Sequence, residues 1–192
     1  MKSLPTALLP LVFALGCPAP PPDRPVDAGE LEPETGPDGS LIRRWDLDGD
    51  GKANIWRVFQ GETQIRTDLD LNGDGKADTR RHLDERGEVK KEEADLDFDS
   101  KVDIVASFEG GKKVQELAFL HHRATADVVR LFVDGKLAEK RRDMDGDGVY
   151  DVFEYFDSGR LVRLGRDTTG DGQPDEFDER PEAEAVPDEE KG

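Results

Sequence analysis

Short runs rich in β-branched and aromatic residues recur along the middle of the chain, and each run ends at a turn that contains glycine. The clearest runs begin at Ile55, Ile104, Val128 and Val152. Such residues favour strands, and Asp-Gly or Gly-Gly between apolar flanks favours a hairpin turn. About six residues before each turn leave no room for a helix. The pattern therefore predicts an all-β fold of tandem β-hairpins, paired into a meander or an elongated repeat array.

The residue just before each turn is large and apolar. If consecutive hairpins pair side by side, these residues stack as a ladder down one face of the sheet. An aromatic stripe can also bind carbohydrate, but core packing is the commoner role of phenylalanine. The predicted core is this ladder: Phe59, Leu83, Phe108, Phe132 and Phe156.

A second pattern separates the hairpins: nine-residue loops with oxygen-bearing side chains at positions 1, 3, 5 and 9 and, in most copies, glycine at position 6. Complete copies start at residues 46, 70, 95, 143 and 167, and residues 119–127 form a degenerate copy in the one long gap. We number these loops one to six in chain order. A fixed period of about 24 residues indicates a repeat architecture whose units bury apolar surface against their neighbours. Six repeats, with their loops along one edge of the sheet, are therefore predicted in residues 38–178.

Oxygen ligands at these positions are what calcium requires, together with the backbone carbonyl of position 7. Disorder is the alternative for an acidic, glycine-rich segment, but it gives no reason for Asp to recur at fixed positions. We expect Ca²⁺ as the cofactor, with about five ions in the five complete loops. The predicted ligands are Asp46, Asp48, Asp50, Lys52, Asn54, Asp70, Asn72, Asp74, Lys76, Asp78, Asp95, Asp97, Asp99, Lys101, Asp103, Asp143, Asp145, Asp147, Val149, Asp151, Glu154, Asp167, Thr169, Asp171, Gln173, Asp175 and Asp178.

Loop position 12, which carries the bidentate Glu of an EF-hand, is acidic only in the fifth and sixth loops, as Glu154 and Asp178. The first three loops have Arg57, Arg81 and Ala106 there, so water or a neighbouring loop must complete their coordination. We therefore expect the fifth and sixth loops to bind most tightly. All affinities should be weak, about 10⁻⁴ to 10⁻³ M, as in extracellular modules.

The fourth loop keeps Asp127 at position 9, but Phe119, His121 and Arg123 replace the other ligands. These side chains offer calcium no oxygen, and Arg123 brings a positive charge to the expected ion position. We expect a loop without an ion, in which Arg123 pairs with carboxylates of the neighbouring loops. A decayed repeat without a role and a flexible hinge are equally open alternatives.

Composition limits the core and the class of partner. The chain of 192 residues has 45 acidic against 27 basic residues, a net charge of −18, and only 34% apolar residues. Crowded carboxylates repel one another, and divalent ions would remove that cost. No basic stripe is present to bind nucleic acid. Four arginines in predicted strands are expected to be cross-strand charge partners: Arg141, Arg142, Arg163 and Arg166.

The two ends of the sequence carry targeting signals. Residues 1–16 hold a Lys and an apolar run that ends before Cys17, the only cysteine. This predicts a signal peptide cleaved before a lipid-modified cysteine; a plain secretion signal with a stray cysteine, or a short membrane anchor, is the alternative. Residues 17–37 predict a Pro-rich tether, and residues 179–192 an acidic disordered tail.

The Asp-x-Asp-Gly-Asp-Gly loops resemble thrombospondin type 3 repeats, dockerin loops and other EF-hand-like motifs. Loop plus hairpin resembles the Asp-rich calcium-loop repeat lipoproteins of environmental Gram-negative bacteria, over roughly residues 38–178. The resemblance implies a calcium-binding protein of structural or adhesive character. It implies a location in the bacterial envelope, lipid-anchored in the outer membrane more readily than the inner, and facing the periplasm or the cell surface.

Catalysis finds little support in the sequence. The three histidines, His82, His121 and His122, accompany no nucleophile in the order a hydrolytic triad needs, so we expect no enzyme. Two classes remain. The first is a calcium-stabilised, membrane-anchored spacer. The second is a calcium-dependent recognition or adhesion module that binds an envelope protein or a glycan, and a contiguous exposed apolar patch would favour it.

Overall fold

A computed structural model describes residues 29–179. The predicted signal peptide, Cys17, most of the tether and nearly all of the tail lie outside the described residues. One 13-stranded sheet contains all the strands in chain order, and every neighbouring pair is antiparallel. The strands are β1 (Gly29–Thr35), β2 (Leu41–Asp46), β3 (Ile55–Gln60), β4 (Thr63–Leu69), β5 (Thr79–Leu83), β6 (Val89–Ala94), β7 (Ile104–Glu109), β8 (Lys112–Ala118), β9 (Val128–Val133), β10 (Lys136–Arg142), β11 (Val152–Asp157), β12 (Arg160–Arg166) and β13 (Glu176–Glu179).

The prediction of an all-β hairpin meander is confirmed, with no helix in residues 29–179. Since the strands alternate in direction, all six nine-residue loops lie at one edge of the sheet and the hairpin turns lie at the other. The described residues also contain no helix that is long and apolar enough to cross a membrane.

The sheet begins before the boundary predicted at residue 38. Gly29–Thr35 forms the edge strand β1, which pairs with β2 although the sequence reads as tether. Opposite charges hold the two strands together: Arg43 Nε lies 2.7 Å from Glu30 Oε1, and Arg44 pairs with Glu34. These acids support a strand because each partner lies on β2, two positions from the residue directly opposite the acid.

Each of the five hairpins between successive loops contains a bulge close to its turn. In the first of them Val58 pairs with Arg66 and Phe59 with Gln64, so that Ile65 is the extra residue. The same shift recurs in the other four hairpins. A bulge bends its strand and increases the local twist, so each hairpin carries the same local distortion beside its turn.

The core is a thin layer of small side chains. The buried apolar residues are mostly Ala and Val, and none of the described large side chains is fully buried. The predicted ladder lies before the turns, but all five of its members are only half-buried. A single sheet has no second layer to cover an aromatic ring on both sides. The buried apolar residues are Ala53, Val58, Ala106, Ala118, Ala126, Val128, Val129 and Phe153.

Charged side chains take the place of a second layer. Arg57 Cζ lies 4.8 Å from the centre of the Trp45 ring, and Arg163 Cζ lies 3.6 Å from that of Phe177. Long basic side chains cover apolar surface with their stems and attract aromatic rings with their charge. Of the four arginines predicted to pair across strands, Arg142 and Arg166 do so, whereas Arg141 bonds Glu139 on its own strand. Arginine stems therefore shield part of the apolar surface from water.

Candidate metal centres

The first aspartate of every complete loop folds the loop around its carboxylate. In the first loop, Gly49 N–H donates to Asp46 Oδ1 at 2.7 Å and Gly51 N–H donates to Oδ2 at 2.8 Å. The same pair of bonds, from positions 4 and 6, recurs in the second, third, fifth and sixth loops. Both donors sit on residues with positive φ, which explains why glycine fills most of these positions.

The remaining predicted ligands also organise the backbone. The position-3 side chain accepts the N–H of position 5 in the first, second, third and fifth loops. In all five complete loops the position-5 carboxylate accepts the N–H of position 7, and the position-9 side chain accepts the N–H of position 2. The oxygen-bearing side chains therefore converge on one side of each loop. The position-7 residues in this pattern are Lys52, Lys76, Lys101, Val149 and Gln173.

Three loops bring together three carboxylates whose ligand atoms lie within 4.8 Å of one another. They are the first loop (Asp46, Asp48, Asp50), the third (Asp95, Asp97, Asp99) and the fifth (Asp143, Asp145, Asp151). The second and sixth loops have an amide and a hydroxyl at position 3, Asn72 and Thr169, and form no such carboxylate triplet within residues 29–179. The remaining acids of these two loops are Asp70, Asp74 and Asp78, and Asp167, Asp171 and Asp175.

The structure does not bring the two position-12 acids to these clusters. Glu154 is the third residue of β11 and lies opposite Lys140 on β10, with Oε2 3.1 Å from Lys140 Nζ. Asp178 on β13 pairs with Arg166 at 2.8 Å. In an EF-hand the chain continues as a helix after the loop, whereas here it enters a strand, so position 12 meets the neighbouring strand instead of the loop.

Backbone donors lower the pKa of two position-1 carboxylates, Asp46 and Asp167. Burial by itself raises the pKa of Asp46, but the N–H groups of Gly51 and Gly49 outweigh it, so the pKa lies below its ordinary value. The same balance of burial against backbone donors lowers the pKa of Asp167. A carboxylate with a lowered pKa is anionic at neutral pH, which is the form that binds a cation.

Neighbouring loops are joined to one another along the edge. The N–H of Asp70, position 1 of the second loop, donates to the carbonyl of Asn54, position 9 of the first, at 2.9 Å. The equivalent bond links every further pair of neighbours, including both pairs that involve the degenerate fourth loop. Side chains add to this contact: Lys52 Nζ donates to the carbonyl of Gly73 at 3.2 Å. The loops therefore form a continuous row.

The third loop departs from the others in its backbone. Phe98 at position 4 and Ser100 at position 6 have φ of 64° and 71°, where the other complete loops have glycine. A side chain in this left-handed region is strained, yet the same two hydrogen bonds to Asp95 are made at 2.8 and 2.7 Å. The bonds to the carboxylate thus hold the backbone in place.

In the fourth loop, cationic and imidazole groups surround the one remaining acid. His121 Nδ1 lies 2.8 Å from Asp127 Oδ1, and Arg123 Nη1 lies 3.5 Å from the same oxygen. Arg123 also reaches the fifth loop, 3.7 Å from Asp143 Oδ2. Burial raises the pKa of Asp127, but the hydrogen bond from His121 outweighs it and the pKa is lowered. The pairing of Arg123 with a neighbouring loop is therefore observed.

Two features of this edge are not evident from the ligand pattern alone. His122 turns away from its own loop, and its Nε2 lies 3.3 Å from Asp99 Oδ2 in the third loop. Position 2 of the loops carries a row of exposed apolar side chains, whose exposed fractions lie between 48% and 63%. The period of 24 or 25 residues aligns this row, and it could have been found from the repeat alignment. The row is Leu47, Leu71, Leu96, Leu120 and Met144.

Neither a family model nor a curated protein matches the chain. Among solved structures, the chain is similar to a mutant of S. aureus TarM in complex with fondaparinux, alpha-GlcNAc-glycerol and UDP, at 12% identity and a TM-score of 0.34. The similarity covers 59% of this chain and 19% of that one. At this level the likeness carries no functional argument.

Proposed function

We propose that the protein is a calcium-binding structural repeat protein, a spacer whose sheet is stabilised by ions in its complete loops. The observation that carries this proposal is the repeated loop geometry, which in three of the five complete loops gathers three carboxylates with oxygens within 4.8 Å of one another. Such close like charges repel each other unless a cation lies between them. Hard divalent cations take oxygen ligands of this kind in loops of this length, which favours Ca²⁺.

The thin core gives the ions a structural role. Since few large side chains are buried, the hydrophobic contribution to folding is small and the repulsion among loop acids counts heavily. Sites with an affinity of about 10⁻⁴ to 10⁻³ M stay filled in a millimolar calcium environment. Binding free energy then becomes folding free energy. Weak, filled sites suit a permanent structural element better than a signalling switch.

The test is thermal unfolding of the purified protein, monitored by circular dichroism, once with calcium and once with a chelator. We expect a large, cooperative drop in melting temperature on chelation, and little recovery with magnesium at the same concentration because Mg²⁺ demands a tighter octahedral shell. Native mass spectrometry counts the ions, with five expected for the five complete loops. An unchanged melting temperature would overturn the proposal.

We further propose that Cys17 carries a lipid that anchors the protein to the bacterial envelope, with residues 18–37 as spacer and first strand. An acidic body has no affinity for an anionic membrane, so acyl chains must supply it. Cys17→Ser should then release the protein from the membrane fraction and abolish labelling by a clickable fatty acid. Absence of label in the unchanged protein would refute the anchor and leave the calcium proposal intact.

The row of exposed apolar side chains at loop position 2 favours a second candidate, a calcium-dependent recognition module for an envelope protein. Five exposed apolar residues recur at the same loop position, and exposed apolar surface of more than isolated residues marks interaction sites. A pull-down from envelope extract should then depend on calcium and be lost in a Leu71→Ser, Leu96→Ser double variant. Leu41→Ser with Val133→Ser is the matched control, because both residues are exposed and lie beside hairpin turns, on the side of the sheet opposite the loops.

A further inference from the structure

His122 makes the third loop chemically different from the others. Four groups of three metal-ligating side chains occur in residues 29–179, and only one of them contains a histidine: Asp97, Asp103 and His122, with ligand atoms within 4.8 Å of one another. The two aspartates are positions 3 and 9 of the third loop, and the histidine comes from the fourth loop. The inter-loop backbone bond from Phe119 N–H to the Asp103 carbonyl, at 2.7 Å, fixes the two loops relative to each other.

The two nitrogens of His122 face different carboxylates. Nε2 lies 3.3 Å from Asp99 Oδ2, and Nδ1 lies 3.9 Å from Asp103 Oδ1. If Nε2 carries the proton and donates to Asp99, the lone pair of Nδ1 points toward Asp103. A carboxylate that orients an imidazole in this way is the usual outer partner of a metal-binding histidine. Asp99 is itself held by Lys101 Nζ at 2.7 Å.

Asp103 offers an oxygen for which the protein supplies no donor. The residue is 8% exposed, and its Oδ2 accepts the N–H of Leu96 at 2.6 Å. Within the described chain, Oδ1 accepts no hydrogen bond. His122 Nδ1 lies 3.9 Å from it, beyond hydrogen-bond distance. Within residues 29–179 the completely buried side-chain atoms without a partner are Arg142 Nε and Glu154 Oε2, so Asp103 Oδ1 remains accessible to a cation or to water. A cation between Asp103 Oδ1 and His122 Nδ1 would satisfy both atoms.

We propose that the third loop and His122 form a mixed nitrogen and oxygen site for a first-row transition-metal ion, with Zn²⁺ as the best fit. Imidazole with two carboxylates suits Zn²⁺ at low coordination number, whereas Ca²⁺ takes six to eight oxygens. Asp97, Asp103 and His122 are the ligands, water fills the fourth position, and Asp99 positions the imidazole. The site lies in one of the five loops of the calcium proposal, so Zn²⁺ would displace Ca²⁺ from the third loop and leave calcium in the other four.

The test is titration of the full-length protein with Zn²⁺ in the presence of saturating calcium, by calorimetry. Co²⁺ serves as a probe of geometry, because a four-coordinate site with a nitrogen ligand gives visible absorption. We expect one Zn²⁺ per chain in the unchanged protein and an affinity loss of more than about tenfold in His122→Ala. His121→Ala is the matched control, since this neighbour faces Asp127 instead, and it should bind Zn²⁺ as before.

A second pair of variants separates the site from the fold. Asp97→Asn and Asp145→Asn change the same loop position in the third and fifth loops, and Asp97 is exposed, so neither should unfold the sheet. Only Asp97→Asn should lose Zn²⁺. No Zn²⁺ binding in the unchanged protein, or unaltered binding in His122→Ala, would overturn the proposal. Calcium titration of the same samples tests the proposed function separately, since the other loops bind calcium whether or not the third takes Zn²⁺.

Discussion

At the scale of single residues, the first aspartate of each loop uses both carboxylate oxygens as acceptors for backbone N–H groups. This demand fixes two residues in the left-handed region, and glycine meets it without strain. In the third loop Phe98 and Ser100 meet it with a side chain, so that loop stores strain that the other complete loops lack. Sequence variation at positions 4 and 6 therefore changes stability without touching a ligand.

Replacing Ser100 by glycine should stabilise the chain. Ser100 has φ of 71° and an exposed side chain, so Ser100→Gly removes strain worth about 1 kcal/mol and loses only one exposed hydrogen bond, from Lys76 Nζ at 3.1 Å. Urea unfolding in the presence of chelator measures the change. Ser107→Gly, in the middle of β7, is the control and should destabilise, because glycine weakens a strand. If Ser100→Gly lowers stability as Ser107→Gly does, the left-handed conformation is not a source of strain.

At the scale of the elements, the fourth loop replaces ligands by a cation that reaches its neighbour. Arg123 lies against Gly146 so closely that a Cβ on that glycine would overlap the guanidinium. The guanidinium is also 3.7 Å from Asp143 Oδ2, one of the fifth-loop carboxylates. A positive charge beside a ligand opposes the binding of a second cation. This contact weakens the expectation, based on Glu154, that the fifth loop binds calcium most tightly.

Removal of the Arg123 charge should strengthen calcium binding in the fifth loop. In Arg123→Gln the amide signals of Gly146 and Gly148 should titrate at lower calcium than in the unchanged protein, as measured by NMR. Arg86→Gln, in a turn at the opposite edge of the sheet, is the matched control and should have no effect. An unchanged midpoint in Arg123→Gln would mean that the guanidinium does not reach the ion.

Ion pairs within and between strands should make the sheet sensitive to acid. Burial raises the pKa of Glu116, but hydrogen bonds and charge from Lys113 and Arg130 outweigh it, and the pKa lies below its ordinary value of 4.5. Glu93, beside Lys91, shows the same balance. A lowered folded-state pKa gives stability that is present above pH 4.5 and is lost as the pH falls through the folded pKa.

The measurement is urea unfolding of the calcium-free protein between pH 6 and about pH 3, the range in which carboxylates titrate. Glu116→Gln should be less stable than the unchanged protein at the higher pH, and this difference should shrink as the pH falls, because the contribution of Glu116 is lost in the unchanged protein too. Glu62→Gln, in an exposed turn, is the control. An identical slope in Glu116→Gln would show that this carboxylate has the same pKa in both states.

The element pattern and the clustering of loop acids could be predicted from the sequence because both depend on local signals, namely β-branched runs, glycine turns and regularly spaced acids. Three features could not. The strand at residues 29–35 depends on partners in β2, the half-burial of Phe59 and its equivalents depends on the absence of a second layer, and the position of His122 depends on contact between loops. Each is a tertiary effect with no local signature.

At the scale of the whole molecule, the sheet is open and each strand contacts only its two neighbours. Within residues 29–179 the two outermost strands, β1 and β13, each have one unpaired side to which another chain could add. The first strand contains Pro33 and three acids in seven residues, and the last strand has only four residues. Proline and like charges oppose strand addition, and a short strand offers few bonds. The ends of the array are therefore protected against uncontrolled stacking.

Deletion of a whole repeat should leave a folded protein. Removing residues 143–166 takes out the fifth loop with β11 and β12 and joins Arg142 to Asp167, which repeats the native order of strand and loop. Because repeat arrays are stabilised by contacts between neighbours, the shortened sheet should keep its circular dichroism and bind one calcium fewer. Removing residues 143–154 is the control. It takes out a loop and part of a strand, and the product should lose β-structure.

The direction of the strands has a mechanical consequence. The strands run across the array, so a force that separates the two ends of the chain meets the interstrand hydrogen bonds pair by pair and not all together. The sheet then opens like a zipper from one edge. Each repeat releases about 24 residues, or about 80 Å of extended chain. Under tension such a protein lengthens one repeat at a time at low load. When the load falls, each released repeat can pair again with its neighbour.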